Sequence, residues 1–210
     1  MEEIKDSEVF KILKEINDSG VINACRNERY LHHYFTRKIQ NTYPIVYEDF
    51  AQCKLHPEWA TLIKGIRNGG GKYKKKEKEY RIDEADGTSG FIDFALGSYD
   101  SPEIGLEFKV CRGWIFQSLV FDYMKLLDSV NSIEKAVSFS IIYREKNHSS
   151  ELSLDKINET ITALTDRLGC RLATSRKFLF WIIEIVPNGK KNKSWYCDNL
   201  EQKFVEKTPY

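Results

Sequence analysis

Three side chains in two neighbouring apolar runs carry the most distinctive chemistry in the sequence. Asp93 lies in Phe91-Ile92-Asp93-Phe94-Ala95-Leu96, and Glu107 and Lys109 lie in Ile104-Gly105-Leu106-Glu107-Phe108-Lys109-Val110. Side chains alternate along an extended chain, so Asp93 shares a face with Phe91 and Ala95. A lone carboxylate in such company is costly unless it is paired, protonated or bound to a metal. In the second run Leu106, Phe108 and Val110 point one way, and Glu107 and Lys109 the other. If the two strands pair, Asp93 and Glu107 converge on one hard cation, with the backbone oxygen of Phe108 between them. Mg²⁺ suits such a partial oxygen cage, with Mn²⁺ as a substitute. A cation held there generates a water nucleophile and offsets charge growing on a phosphoryl centre. Lys109, one pleat away, can orient that water or pair with a phosphate. The same triplet also suits a solvated strand face carrying a cross-strand ion pair.

Gly90 precedes the first run, and Glu107-Phe108-Lys109 begins 14 positions after Asp93. This arrangement resembles the signature of the PD-(D/E)XK nuclease superfamily, and the resemblance covers about residues 22–143. It implies an α/β, restriction-endonuclease-like α-β-β-β-α-β core, a mixed central sheet flanked by helices. It also implies an acidic residue on the preceding helix, a place that Glu28 fits, three residues after Cys25 and three before Leu31. Many members carry a glutamine on the helix after the lysine, where Gln117 stands, within reach of the lysine or a substrate phosphate. The implied catalytic set is Glu28, Asp93, Glu107, Lys109 and Gln117, with metal ligands from Asp93, Glu107 and the Phe108 carbonyl. The sequence departs from the pattern in having Ile92 where the motif name has proline.

The elements that must position these groups can be read from periodicity. Ser7 or Asp6 caps a first helix carrying Val9, Ile12, Leu13 and Ile16, ending near Gly20. A second helix is expected over about 22–40, its stripe Cys25, Leu31, Phe35 and Ile39 bracketing Glu28. Pro57 suits the start of a short third helix through Trp59, Leu62 and Ile63. Strands at 90–96 and 104–110 flank a turn-rich 97–102. A helix over 114–130, with Phe116, Val120, Tyr123, Leu127 and Val130 on one side, leads to a strand at 136–143. Another helix is expected at 154–168 and a buried strand at 178–186. Residues 187–210 read as a polar, lysine-containing tail. With no repeat and no linker, the reading is one nuclease-like domain over 1–210, its core at about 22–186. The first two central strands pair antiparallel, and strand–helix–strand steps make the later ones parallel.

Between Lys64 and Arg81 there are eight Lys or Arg and two Glu, a local charge of 8 − 2 = +6. Lys72, Lys74, Lys75, Lys76, Lys78 and Arg81, interleaved with Tyr73 and Tyr80, suit sequence-independent phosphate contact to DNA. They suit equally a solvated hairpin guarded by lysines against aggregation. His32, four residues after Glu28, either lines the cleft or is a packed histidine. Cys111 reads as a strand-end core residue, and Trp195 as a packing aromatic or a stacking platform.

Composition bounds the rest. The 210 residues are 41% hydrophobic and 30% charged with net charge +1, so a nucleic-acid partner must be argued from where the charges sit. Five scattered cysteines form no C-x-x-C pair, which speaks against structural zinc and for free thiols in a reducing compartment. No apolar leader and no run long enough for a bilayer can be read, so a cytoplasmic protein without a membrane partner is expected. The residues together fit a Mg²⁺-dependent DNA endonuclease, with a homodimer needed if both strands are cut at once. A non-catalytic nucleic-acid-binding module on the same fold, or a structural subunit with an ion-pair network, would use the same charges differently.

Overall fold

The computed structural model describes residues 7–19, 22, 27–46, 49, 52–63, 66–67, 73–76, 79–82, 90–112, 116–144, 159, 173, 175–197 and 205–207. Helix α1 is Glu8–Asp18, α2 is Glu28–Ile39 and α3 is Phe116–Leu127. The strands are β1 (Leu55–Ala60), β2 (Leu62–Ile63), β3 (Ile66–Arg67), β4 (Tyr73–Lys76), β5 (Glu79–Ile82), β6 (Phe91–Gly97), β7 (Pro102–Arg112), β8 (Lys135–Tyr143), β9 (Lys177–Val186), β10 (Gly189–Cys197) and β11 (Val205–Lys207). The protein is α/β, with a mixed seven-stranded sheet in the order β1-β6-β7-β8-β9-β10-β11. β7, β8 and β9 run parallel, and the remaining neighbours pair antiparallel. No described helix is long and apolar enough to cross a membrane.

Helix α1 begins where the sequence places it: the Ser7 side chain accepts the Phe10 N–H at 3.2 Å, and Val9, Ile12, Leu13 and Ile16 are buried. Helix α2 starts later than its stripe suggests. Asn27 is extended, with φ −146° and ψ 154°, and its side chain accepts the Tyr30 N–H at 2.9 Å. That cap puts Glu28 at the first helical position, where a carboxylate also meets the positive end of the helix dipole. Glu15 ties the two helices together by accepting from Tyr34 Oη at 2.6 Å and Lys38 Nζ at 2.8 Å.

Both helices cover one face of the sheet, where Leu31, Phe35, Phe94, Leu106, Phe108, Phe139 and Trp181 form a continuous core. Full burial of each such side chain contributes about 1.5–3 kcal/mol. Helix α3 covers the other face, with Tyr123 packed on Phe178 and Phe180. Gly105 marks how close α3 and the turn after it come to β7, because a Cβ there would lie 2.8 Å from Ile133 Cδ1.

Four sequence expectations are corrected. Residues 55–60 form β1, not a helix. β1 is an edge strand, where the missing N–H of Pro57 costs no ladder bond, and Trp59 is driven inward by its area. Next to Pro57, Glu58 takes a left-handed φ of +50°. The polar tail is also structured: β10 folds back on β9 over nine residue pairs from Gly189 to Cys197, and β11 adds a further edge. Helix α3 ends at Leu127 and leaves Val130 38% exposed, so the apolar stripe stops one turn early. Helix α2 does not reach back to residue 22, because the extended Asn27 caps it. The helix expected at 154–168 lies, apart from Glu159, outside the described residues.

Candidate active site at the fork between two strands

β6 and β7 are paired from Gly97↔Pro102 to Phe94↔Leu106, and beyond that register no further pair is made. From there β7 turns its free edge toward two carboxylates. The Phe108 N–H donates to Asp93 Oδ2 at 2.8 Å, and the Val110 N–H to Glu28 Oε2 at 3.3 Å. Side chains thus replace the ladder bonds that β6 no longer supplies, which satisfies backbone donors that would otherwise be orphaned. In a strand the carbonyl of a residue points to the same side as its N–H, so the Phe108 oxygen also faces the fork. Glu28 reaches it from the N-terminus of α2, on the opposite side of the sheet from α3.

Two groups of charges meet there. In the outer one, Glu28, His32 and Asp93 each offer a ligand atom within 4.8 Å of the others, and His32 Nε2 is 3.3 Å from Asp93 Oδ2. In the inner one, Lys125 Nζ lies 2.5 Å from Glu107 Oε1 and 3.3 Å from Asp122 Oδ1, and donates to the Phe91 carbonyl at 2.8 Å. Lys109 bridges them, with Nζ 3.5 Å from Glu28 Oε2 and 3.7 Å from Asp122 Oδ2.

The electrostatics follow from this arrangement. Burial works to raise the Asp93 carboxyl, but His32 and the Phe108 N–H outweigh it and hold Asp93 below its ordinary range. Burial works against protonation of His32, yet Asp93, Glu28 and Glu58 raise it above the usual imidazole value. Glu107 is pushed well up by burial, with Asp93 and Asp122 adding to the effect and Lys125 opposing it. Asp122 is raised for the same first reason. Burial disfavours charged Lys109, but Asp122 and Glu28 prevail and raise it. Perturbed groups concentrated in one place make the fork the candidate functional site.

The His32–Asp93 pair gives a pH prediction with a definite sign. A histidine whose folded pKa is raised contributes stability that is complete below the unfolded value of 6.5 and is lost as the pH rises through the folded one. The stability difference between the native chain and His32→Gln should therefore be largest below pH 6.5 and shrink above it. Asp93 sets the acid limit, since its contribution is lost as the pH falls from 3.8 through its depressed folded value. Urea unfolding of the two proteins across pH 4–9 reads the share of His32, and extending it below pH 3.8 reads that of Asp93. A pH-independent difference would mean that the imidazole is not paired.

Of the expected site residues, Glu28, Asp93 and Lys109 meet at the fork. Glu107, expected to share one cation with Asp93, has its carboxylate 2.5 Å from the Lys125 ammonium, while the ligand atoms grouped with Asp93 are those of Glu28 and His32. Gln117 is in the first turn of α3, and its side chain lies outside the described residues. Lys74, Lys75, Lys76 and Arg81 are on the β4–β5 hairpin, paired Lys74↔Arg81 and Lys76↔Glu79; their side chains, and Lys72 and Lys78 altogether, also lie outside the described residues. Sequence reading missed Asp122 and Lys125. Asp122 carried a signal in its phase, standing three after Leu119 and four before Leu126, in step with the buried face; Lys125 carried none. The half-buried Cys111 thiol, two residues beyond Lys109, is pushed up to about 11 by burial, which makes it a poor nucleophile at neutral pH. No family model matches the chain, and neither a curated protein nor a solved structure matches it.

Proposed function

We propose that this protein is a divalent-metal-dependent nuclease of the PD-(D/E)XK type, hydrolysing phosphodiester bonds in DNA. The observation that carries the reading is the fork itself, where Asp93, Glu107, Lys109 and Glu28 converge at the point where two central strands part. The element order supports it: α2, β1, β6, β7, α3 and β8 follow one another, with β1-β6-β7-β8 adjacent in the sheet. This order supports the α-β-β-β-α-β succession that the motif resemblance implies, once the two small hairpins β2–β3 and β4–β5 are taken as insertions between its first and second strands.

The donor set fits a hard cation. Four carboxylates (Glu28, Asp93, Glu107 and Asp122) face three basic groups (His32, Lys109 and Lys125), and burial holds Glu107 and Asp122 against their ionised forms. Added positive charge would relieve that cost. Asp93, Glu107 and the Phe108 carbonyl would hold Mg²⁺ or Mn²⁺, which when bound supplies Lewis-acid activation of water and charge stabilisation at phosphorus. The chain's own groups do the rest. Lys109, held charged by its carboxylate neighbours and 26% exposed, can pair with a non-bridging phosphate oxygen. Glu28 fixes Lys109 and caps β7, which keeps the ammonium aimed at the fork.

β4 lies beside α3, which places the lysine hairpin next to the helix that lines the site. Replacing Lys72, Lys74, Lys75 and Lys76 by glutamine should weaken DNA binding and lower the log–log salt slope by about 0.9 for each phosphate no longer neutralised. Fluorescence titrations with a short duplex over a salt series measure this. An unchanged slope would assign the segment to solubility.

A second reading has one observation in its favour. The Lys125–Glu107 pair would equally neutralise the site of a non-catalytic nucleic-acid-binding module on the same fold. Supercoiled plasmid incubated with Mg²⁺, Mn²⁺ or EDTA separates the two. Metal-dependent nicking supports the nuclease, and binding without nicking supports the module.

A further inference from the structure

Lys125 is an unusual lysine. Its side chain is 6% exposed, and those of Glu107 and Asp122 are 3% and 6% exposed. Lysine is among the residues least often buried, and an ammonium taken out of water requires compensation on every side. Here the compensation comes from three elements: the Glu107 carboxylate of β7 at 2.5 Å, the Asp122 carboxylate of α3 at 3.3 Å and the Phe91 carbonyl of β6 at 2.8 Å. Two carboxylates and a carbonyl converging on one positive centre form the kind of oxygen set that a hard divalent cation takes.

A second observation points the same way. Asp122 Oδ2 and Glu107 Oε1 are both buried and accept no well-formed hydrogen bond among the described residues, with Lys109 Nζ 3.7 Å from the first and Lys125 Nζ 2.5 Å from the second. One lysine therefore does not use all the oxygen valence the site offers. Lys109, by contrast, stands at the mouth and contacts Glu28 from the other side of the sheet.

We infer that Lys125 is a built-in cation seated in a divalent-ion cage, and that it limits the metal capacity of the fork to the one ion proposed above. Its ammonium supplies from the protein the second positive charge that two-metal phosphodiesterases take from solution. The one-ion site of the native chain rests on the nuclease reading; the cage around Lys125 rests on the geometry alone.

The test is Mn²⁺ stoichiometry on the full chain, by calorimetry and by the electron paramagnetic resonance signal of free Mn²⁺. Lys125→Met keeps bulk but removes the charge, and should bind one Mn²⁺ more per chain than the native protein. Its thermal midpoint should fall without metal and rise on adding Mn²⁺ by more than the native midpoint does. Lys125→Arg, which keeps the charge, should gain no site. Glu107→Gln/Lys125→Met, which removes a ligand of the vacated cage, should bind no more Mn²⁺ than Glu107→Gln alone. Equal stoichiometry in Lys125→Met and the native chain would overturn the inference. So would a Lys125→Met chain that stays unfolded in millimolar Mn²⁺, since the ion would then have failed to replace the ammonium. The two levels fail separately. A native chain that binds no Mn²⁺ beside a Lys125→Met chain that binds one would remove the nuclease reading and leave the lysine's role intact.

Discussion

Asp93→Asn and Glu107→Gln should each lower plasmid nicking by at least about 10²–10³-fold, the scale on which removal of one preorganised electrostatic group acts in an active site. Amide replacements are the informative ones. Asp93 accepts the Phe108 N–H at 2.8 Å, and an asparagine oxygen can still do so. Alanine cannot, and leaving that N–H without an acceptor costs about 1–3 kcal/mol. Truncation of Asp93 to alanine should therefore lower stability. Its partners are His32 and a backbone amide, and they favour the charge. Glu107 is different, because its burial beside Asp93 and Asp122 disfavours the charge that Lys125 partly offsets. Single-turnover nicking with Mn²⁺, alongside urea unfolding of the same preparations, separates the two effects. Native-like nicking by either folded amide variant would remove the metal site.

Arg176→Met should cost about 3–5 kcal/mol, a loss tied to several buried carbonyls at once. The Arg176 guanidinium is 3% exposed and is spent on backbone. Nε donates to the Ile133 carbonyl at 2.7 Å, Nη1 to Asp128 O at 3.1 Å and to Leu126 O, and Nη2 to Asn131 O. These acceptors belong to the last turn of α3 and the bend after it, where helix carbonyls lack internal partners and the dipole is negative. Methionine keeps much of the volume and none of the five donors. Asn131 works alongside, passing its Nδ2–H to the Lys125 carbonyl and accepting the Leu62 N–H. The anchor of the helix end is thus also the anchor of Lys125. Chemical denaturation measures the cost, and a loss below about 1 kcal/mol would show that water replaces the guanidinium.

How much of this could be read from the chain depends on which interaction decides each element. The strands around Asp93 and Glu107, the Ser7 cap and helix α1 were legible because apolar period and capping residue agree. The place of Glu28 near Asp93 and Lys109 was legible through the motif resemblance and its position three residues before Leu31, while Cys25, the other half of its stripe, precedes the cap at Asn27. What failed was decided by neighbours. Pro57 looks like a helix start until β6 offers it an edge on which a missing N–H is harmless. Gly189 to Cys197 reads as solvated polar chain because strand pairing with β9, not side-chain pattern, orders its backbone. Lys125 was invisible as a site residue, because nothing local distinguishes a lysine on an exposed flank from one enclosed by carboxylates of other elements.

Pro57 and Glu58 have one more effect, and it concerns the company the molecule keeps. An exposed sheet edge invites another strand, from a second copy or an unfolded chain, along an unbroken row of amide and carbonyl groups. On β1 that row is broken at adjacent positions, once by an absent N–H and once by a backbone turned to φ +50°. The break falls beside Phe94 and Asp93 of the neighbouring strand, so the flank nearest the acidic fork resists growth into a cross-chain sheet. Substituting valine at 57 and glycine-free, β-prone residues around it would restore a continuous edge, and with it a tendency to polymerise at concentrations where the native chain stays dispersed.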